Sequence, residues 1–325
     1  MDGAPLPDAA RPPDAVNTSV LACFLDDFVH PPTVGPNYDQ FHPIVGSHCK
    51  GTNHQDIQGV ERVVFVGDSI TVGSPPTPTE QFYRSRLAVS LADRFGLTPP
   101  DAFWMNVNPL DGVTFTRESG DFASCAKWGA RTDDLRQDNS QLEDCMPEDK
   151  RGLRTLVVLT MGGNDVFKLN QSASEGVTVD EMWTTTHDFV RLMREAVTWI
   201  KEPGRFPNGV YVIFGDLYEF TDATGDLTSC PAAVWANLDI SAVVDDITQM
   251  VIYANEQYAS IAVDTGSDMI FPLELFCGHG FRAADPTAPC YRGPGMERWF
   301  DDTCIHPNPT GHAQLADMFM AVINE

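Results

Sequence analysis

Basic residues are scarce in this chain. Its 325 residues include 21 Lys and Arg against 46 Asp and Glu, for a formal net charge of -25. A surface of that sign repels phosphate backbones and anionic membranes, which excludes nucleic acid as a natural partner. No local basic patch compensates, so acidic substrates are disfavoured as well. Long apolar runs are missing too. No segment approaches the ~20 apolar residues needed to span a bilayer, so no stable membrane insertion is expected. The first residues, Met1-Asp2-Gly3-Ala4-Pro5-Leu6-Pro7-Asp8, have neither the basic start nor the apolar core of an export signal. An exported chain would therefore have lost that signal or carry it upstream.

Cysteine, by contrast, is plentiful. Eight are spread along the chain, at 23, 49, 125, 145, 230, 277, 290 and 304. An even, dispersed count points to disulfides and an oxidising setting: secreted, periplasmic or at the cell surface. Cys23 with Cys49 and Cys125 with Cys145 are the sequence-near pairings. The content of hydrophobic residues, 42%, is that of an ordinary globular chain.

Residues 1–18 are rich in Pro, Ala and Asp and read as a disordered tail. Residues 19–325 then read as one domain, in which 19–60 form an irregular wrap leading to the first strand. That strand is the apolar run Val63-Val64-Phe65-Val66, which enters Gly67-Asp68-Ser69-Ile70. A short continuous apolar run suits a strand buried on both faces of a parallel sheet. Further strands are expected at Ala102–Val107, Thr155–Met161, Gly209–Gly215 and Met269–Leu273. Helical patterns follow Thr79 and run over Asp180–Ile200, Ile240–Ile261 and Pro309–Ile323. Strands alternating with helices predict an α/β chain with a parallel sheet covered on both faces.

Ser69 falls just past the carboxyl end of the first strand, where open α/β sheets place their ligands. A serine hydroxyl needs a base beside it to act as a nucleophile. The best-placed imidazole is His306, in Asp301-Asp302-Thr303-Cys304-Ile305-His306-Pro307-Asn308, because Pro307 holds the preceding residue extended just before the last helix. Acyl transfer also needs donors aimed at the developing oxyanion. Asn164, in Gly162-Gly163-Asn164-Asp165, follows a buried strand and would emerge on the same sheet edge. Gly129, in Lys127-Trp128-Gly129-Ala130-Arg131-Thr132, offers a backbone N–H with no side chain in the way.

These blocks resemble the SGNH hydrolase family, the GDSL-type esterases and lipases. GDSI at 67–70, Gly129, GGND at 162–165 and His306 before Pro-Asn come in the family's order, over about residues 62–320. The resemblance implies a flavodoxin-like three-layer α/β/α sandwich with a central parallel sheet. It implies Ser69 as nucleophile, His306 as base, and an oxyanion hole of the Ser69 and Gly129 N–H groups with the Asn164 side chain. The implied activity is ester hydrolysis through an acyl-enzyme, with no metal or organic cofactor and a small-molecule or lipid ester as substrate.

One departure concerns the acid. The family usually carries Asp three residues before its histidine, and Thr303 stands there. Either a small bulge brings Asp302 to the imidazole, completing a Ser69-His306-Asp302 triad, or a backbone carbonyl near Thr303 orients the ring. In an extended segment Asp301 would point elsewhere. The missing second glycine of G-x-S-x-G disfavours the nucleophile-elbow hydrolases. Two rival readings use other features. Cys277 and His279 with Cys304 and His306 could supply four zinc ligands. A silent binding protein could also keep the fold. Trp104, Phe115, Trp128, Trp235 and Trp299 are candidates to line an apolar acyl pocket.

Overall fold

The computed structural model describes residues 19–30, 34–137, 140–232 and 244–325. The tail expected over 1–18 and Trp235 lie outside the described residues, as does the start of the helix expected from Ile240.

Six strands form the main sheet: β1 (Arg62–Gly67), β2 (Glu118–Ser119), β3 (Phe122–Ser124), β4 (Thr155–Thr160), β5 (Val210–Gly215) and β6 (Asp268–Ile270). Their order is β2-β3-β1-β4-β5-β6, and every pairing is parallel except β2 with β3. From β1 the chain moves out to β3, then returns to pair β4 on the other side of β1. The order reverses there, so a crevice opens beyond the carboxyl ends of β1 and β4.

Seven helices are used below: α1 (Val20–Phe24), α2 (Ser69–Val72), α3 (Tyr83–Phe95), α4 (Gly163–Ser174), α5 (Val179–Lys201), α6 (Val244–Thr265) and α7 (Pro309–Asn324). Side chains of a strand alternate between faces, and both faces here are apolar. Val64, Val66, Val157, Leu159, Val212 and Phe214 point to one side, against Met193 and Val197 of α5 and Ala254 and Tyr258 of α6. Val63, Phe65, Leu156, Val158 and Ile213 point to the other, against Leu87 and Leu91 of α3 and Leu315 and Phe319 of α7. Each such fully buried side chain contributes about 1.5–3 kcal/mol. The result is the three-layer α/β/α arrangement of the SGNH hydrolases.

Two expectations fail locally. Ala102–Met105 is a helical turn, not a strand: Asp101 caps it by accepting from the Trp104 N–H at 3.0 Å, and Trp104 is buried against Phe65 and Phe122. The second parallel strand of the sheet is instead β3, of which only three residues pair with β1. Helix α4 begins at Gly163, three residues after the end of β4. The wrap before β1 contains α1 and a single turn at Tyr38–Phe41, and its Thr52 N–H and Lys50 carbonyl pair with Met269 and Phe271 at the sheet edge.

All eight cysteines are bridged: Cys23–Cys49, Cys125–Cys145, Cys230–Cys304 and Cys277–Cys290. Among the described residues, no helix is long and apolar enough to cross a membrane.

Candidate active site

Backbone geometry at the end of β1 sets the first position. Gly67 has φ +135°, and a Cβ there would lie 2.1 Å from the Thr160 carbonyl oxygen of β4, so only glycine fits between these strands. Its N–H and carbonyl are clamped by the Gln141 amide at 2.7 and 3.0 Å. Asp68 then caps α2 by accepting from the Ile70 N–H at 3.0 Å, and it also accepts from the Thr160 hydroxyl at 3.1 Å. Burial pushes its carboxyl up to about 7, against those hydrogen bonds.

Ser69 thus becomes the first residue of a one-turn helix, with its N–H directed out of the helix start. The buried Arg84 guanidinium closes the other end of that turn. It donates to the Thr71 and Val72 carbonyls at 3.2 Å each and lies over the Trp104 ring.

His306 reaches Ser69 from the far side of the sequence. Residues 300–307 form a tight excursion in which Phe300 bridges Pro307 and the Asp301 N–H donates to the His306 carbonyl at 2.9 Å. Cys304 turns the chain with φ +78° and is tied to Cys230. Tyr218 donates to the Ile305 carbonyl at 2.9 Å. The His306 Nε2 then lies 2.9 Å from the Ser69 Oγ. Burial lowers the pKa of this imidazole from its ordinary 6.5, and the charge of Asp301 partly opposes the shift.

The structure does not bring Asp302 to the ring. Its carboxylate is exposed and accepts from Arg298 at 2.8 Å. No carbonyl of this loop lies on Nδ1 either. The Nδ1 atom faces the Thr303 hydroxyl at 2.7 Å, and Thr303 in turn donates to Asp301 at 2.5 Å. The register differs from expectation because the excursion is a turn and not an extended strand. Asp301 faces inward and is buried, while Asp302 faces out.

Asn164 sits in the first turn of α4 and lines the same crevice as Ser69. Its amide donates to the Ala130 carbonyl at 2.9 Å, which fastens it to the loop that carries Gly129. Gly129 has φ +72°, and a Cβ added there would meet nothing within 4 Å. Its N–H has no partner among the described residues. The Lys127 N–H, two residues earlier, donates to the Gly67 carbonyl at 3.0 Å and so holds this loop at the end of β1.

A groove of about 720 Å³ leads away from Ser69 and Asn164. Its wall is mainly apolar and draws on distant stretches: Phe24, Phe28 and Tyr38 from the wrap, Phe167 from α4, Leu217 after β5 and Val251 from α6. The aromatic residues expected there are elsewhere. Trp104 is core, Phe115 is exposed, Trp128 donates to the Gly73 carbonyl at 2.7 Å, and Trp299 stacks on His279 at 3.6 Å. The zinc reading is overturned as well, because Cys277 and Cys304 are both in disulfides. No His/Cys/Asp/Glu group able to hold a metal occurs among the described residues.

The model of the GDSL-like Lipase/Acylhydrolase family matches residues 63–319. No curated protein matches the sequence. Among solved structures, an extracellular lipase from Streptomyces rimosus superposes with a TM-score of 0.51 at 16% identity, covering 81% of this chain and 100% of its own. The lipase Lip_vut3 from a goat rumen metagenome gives 0.52 at 12% identity, over 80% and 96%. At such identities these likenesses are of fold.

Proposed function

Because the chain belongs to the GDSL-like lipase/acylhydrolase family, and so is a hydrolase of ester bonds, we propose that Ser69 is its nucleophile and His306 its general base. The observation that carries this reading is the 2.9 Å contact between Ser69 Oγ and His306 Nε2 at the head of an apolar groove. In the proposed reaction Ser69 Oγ bonds to the ester carbonyl carbon while its proton passes to Nε2. The carbonyl electron pair moves onto oxygen. The Ser69 and Gly129 N–H groups and the Asn164 amide receive that oxyanion, the term that usually contributes most to such catalysis. Collapse expels the alcohol, which takes the proton from Nε2. Water then repeats the sequence on the acyl-enzyme and releases the acid.

The groove supports an ester whose acyl part is apolar, a lipid or a smaller ester with a hydrocarbon chain. The strong negative charge supports departure of the product carboxylate. Four disulfides support a place outside the reducing cytoplasm, at the cell surface or beyond it.

Ser69→Ala tests the reading. Hydrolysis of p-nitrophenyl esters should fall by a factor on the order of 10⁴ to 10⁶ in kcat, with an unchanged melting curve. Activity within about tenfold of wild type would move the nucleophile elsewhere. A serine-directed phosphonate should label wild type and spare the variant; a wild type that neither labels nor hydrolyses would mean a silent binding protein.

A further inference from the structure

We propose that Thr303 and Asp301 together take the place of the missing triad carboxylate, orienting and polarising His306 through the threonine hydroxyl. The proposal rests on the reading of Ser69 and His306 given above and goes one step behind it.

Counting hydrogens decides which atom donates. A threonine hydroxyl has one proton to donate and two lone pairs. Asp301 Oδ1 accepts from both the Thr303 N–H at 2.8 Å and the Thr303 hydroxyl at 2.5 Å. A carboxylate is the stronger acceptor, so the hydroxyl proton is committed to it. Only lone pairs then face Nδ1, at 2.7 Å. Nδ1 must therefore carry the ring proton, which leaves Nε2 bare towards Ser69. This is the tautomer a general base requires. A serine or carbonyl facing Nδ1 could fix that tautomer as well. The present arrangement adds a full negative charge two hydrogen bonds from the ring, in line with the positive charge that forms on it during attack.

A second observation singles out the same carboxylate. Asp301 is buried, and its Oδ2 has no hydrogen-bond partner among the described residues. A buried carboxylate oxygen left unpaired is costly, and such groups call for an explanation beyond packing. A role for Thr303 confined to shaping the turn would not require the buried charge.

Other groups facing His306 do not supply that charge. Asp302 is paired outward with Arg298. His312 of α7 is buried and held neutral, its pKa pushed down to about 3 by burial first and by His306 next. Tyr218 is half-buried, burial raises its pKa well above the ordinary value, and its hydroxyl is used on the Ile305 carbonyl. Asp68 is engaged by Ile70 and Thr160. Thr303 and Asp301 are thus positioning residues: they touch the base and not the ester.

The test uses four variants, with kcat, KM and the pH profile of kcat/KM measured on a p-nitrophenyl ester and folding checked by thermal melting. Thr303→Ser should stay within about threefold of wild type. Thr303→Val should lower kcat by about 10²-fold or more, less than the ~10⁴ lost with a misdirected triad acid, and leave KM nearly unchanged. Asp301→Asn keeps an acceptor at Oδ1 but removes the charge. It should lower kcat by about 10- to 100-fold and move the acid limb of kcat/KM to lower pH, because the protonated ring loses its counter-charge. Asp301→Asn combined with Thr303→Asp places a carboxylate directly on Nδ1 and should recover most of kcat. If Asp301→Asn and Thr303→Val keep kcat within about threefold with the limb unmoved, the relay is overturned. Loss in Asp301→Asn without a shift of the limb, or without recovery in the double variant, reduces Asp301 to a structural role and overturns it equally. Failure of Ser69→Ala to abolish activity would remove the underlying reading instead, so the two failures are distinguishable.

Discussion

The Tyr38 hydroxyl donates a 2.7 Å hydrogen bond to Asp216, joining the wrap before β1 to the residue that follows β5. Tyr38 also stacks on Phe271 at 5.6 Å. Burial raises the Asp216 carboxyl to about 7, against the hydrogen bonds it accepts. A carboxyl whose folded pKa is raised adds stability at acid pH, and that contribution is lost as pH rises from about 4 through about 7. Once charged, the carboxylate depends more on its donor. Tyr38→Phe should therefore destabilise the protein by about 1–3 kcal/mol, with the larger loss at about pH 8 and the smaller at about pH 5. Urea midpoints at the two pH values check this. Equal losses would mean that Asp216 and the buried Glu274 carboxyl that interacts with it do not change charge in this range.

The pH dependence of catalysis follows from the burial of His306. In the proposed mechanism only the neutral imidazole takes the Ser69 proton, and burial lowers its pKa from the ordinary 6.5. The acid limb of kcat/KM for the wild-type enzyme should therefore lie below that value. A limb at or above it would show that the ring is solvated or paired more strongly than its surroundings indicate.

Filling the groove should change which ester is preferred. Val251 lines it from α6, away from Ser69 and His306. Val251→Trp should lower kcat/KM on long-chain p-nitrophenyl esters at least about tenfold and leave the acetate ester within about threefold, since each buried methylene is worth about 0.8 kcal/mol. A parallel fall across all chain lengths would place the acyl chain elsewhere.

The Cys230–Cys304 bridge closes the longest loop of the four, with a separation of 74 residues. Replacing both cysteines by Ser should cost about 2–5 kcal/mol by the loop-entropy argument. Cys304 also turns the chain between Thr303 and His306, so kcat should fall under conditions where the variant is still folded. Stability lost with kcat unchanged would limit the bridge to the unfolded state.

What could be read from the sequence, and what could not, divides along physical lines. Val63–Val66 and Thr155–Met161 are strong signals because parallel strands buried on both faces are apolar throughout. Ser69, Asn164 and His306 could be placed near one another because each follows or precedes a clear element. β3 was invisible because it is three residues long and pairs through its backbone. The start of α4 does not show in Gly162-Gly163, because glycine is a poor helix former and tertiary context places it there. Asp301 and Asp302 could not be told apart, since the choice depends on which residue faces inward in a tight excursion, and local spacing does not carry that. Cys230 and Cys304 could not be matched by neighbourhood at such separation. The groove wall is assembled from stretches that meet only in the folded chain.

That wall has a consequence of its own. The stretch shared with the family starts at residue 63, yet Phe24, Phe28 and Tyr38 come from before it. The part that would perform the chemistry and part of the surface that would measure the substrate thus lie on separable lengths of chain. The wrap is held by the Cys23–Cys49 bridge, by Tyr38 on Asp216 and by a short pairing at the sheet edge. Insertions, exchanges and drift in it can redraw the wall of the groove without disturbing the strand ends that carry Ser69 and Asn164. On the proposed reading, preference for one ester over another is an attribute that can be inherited, lost or transplanted independently of the power to hydrolyse.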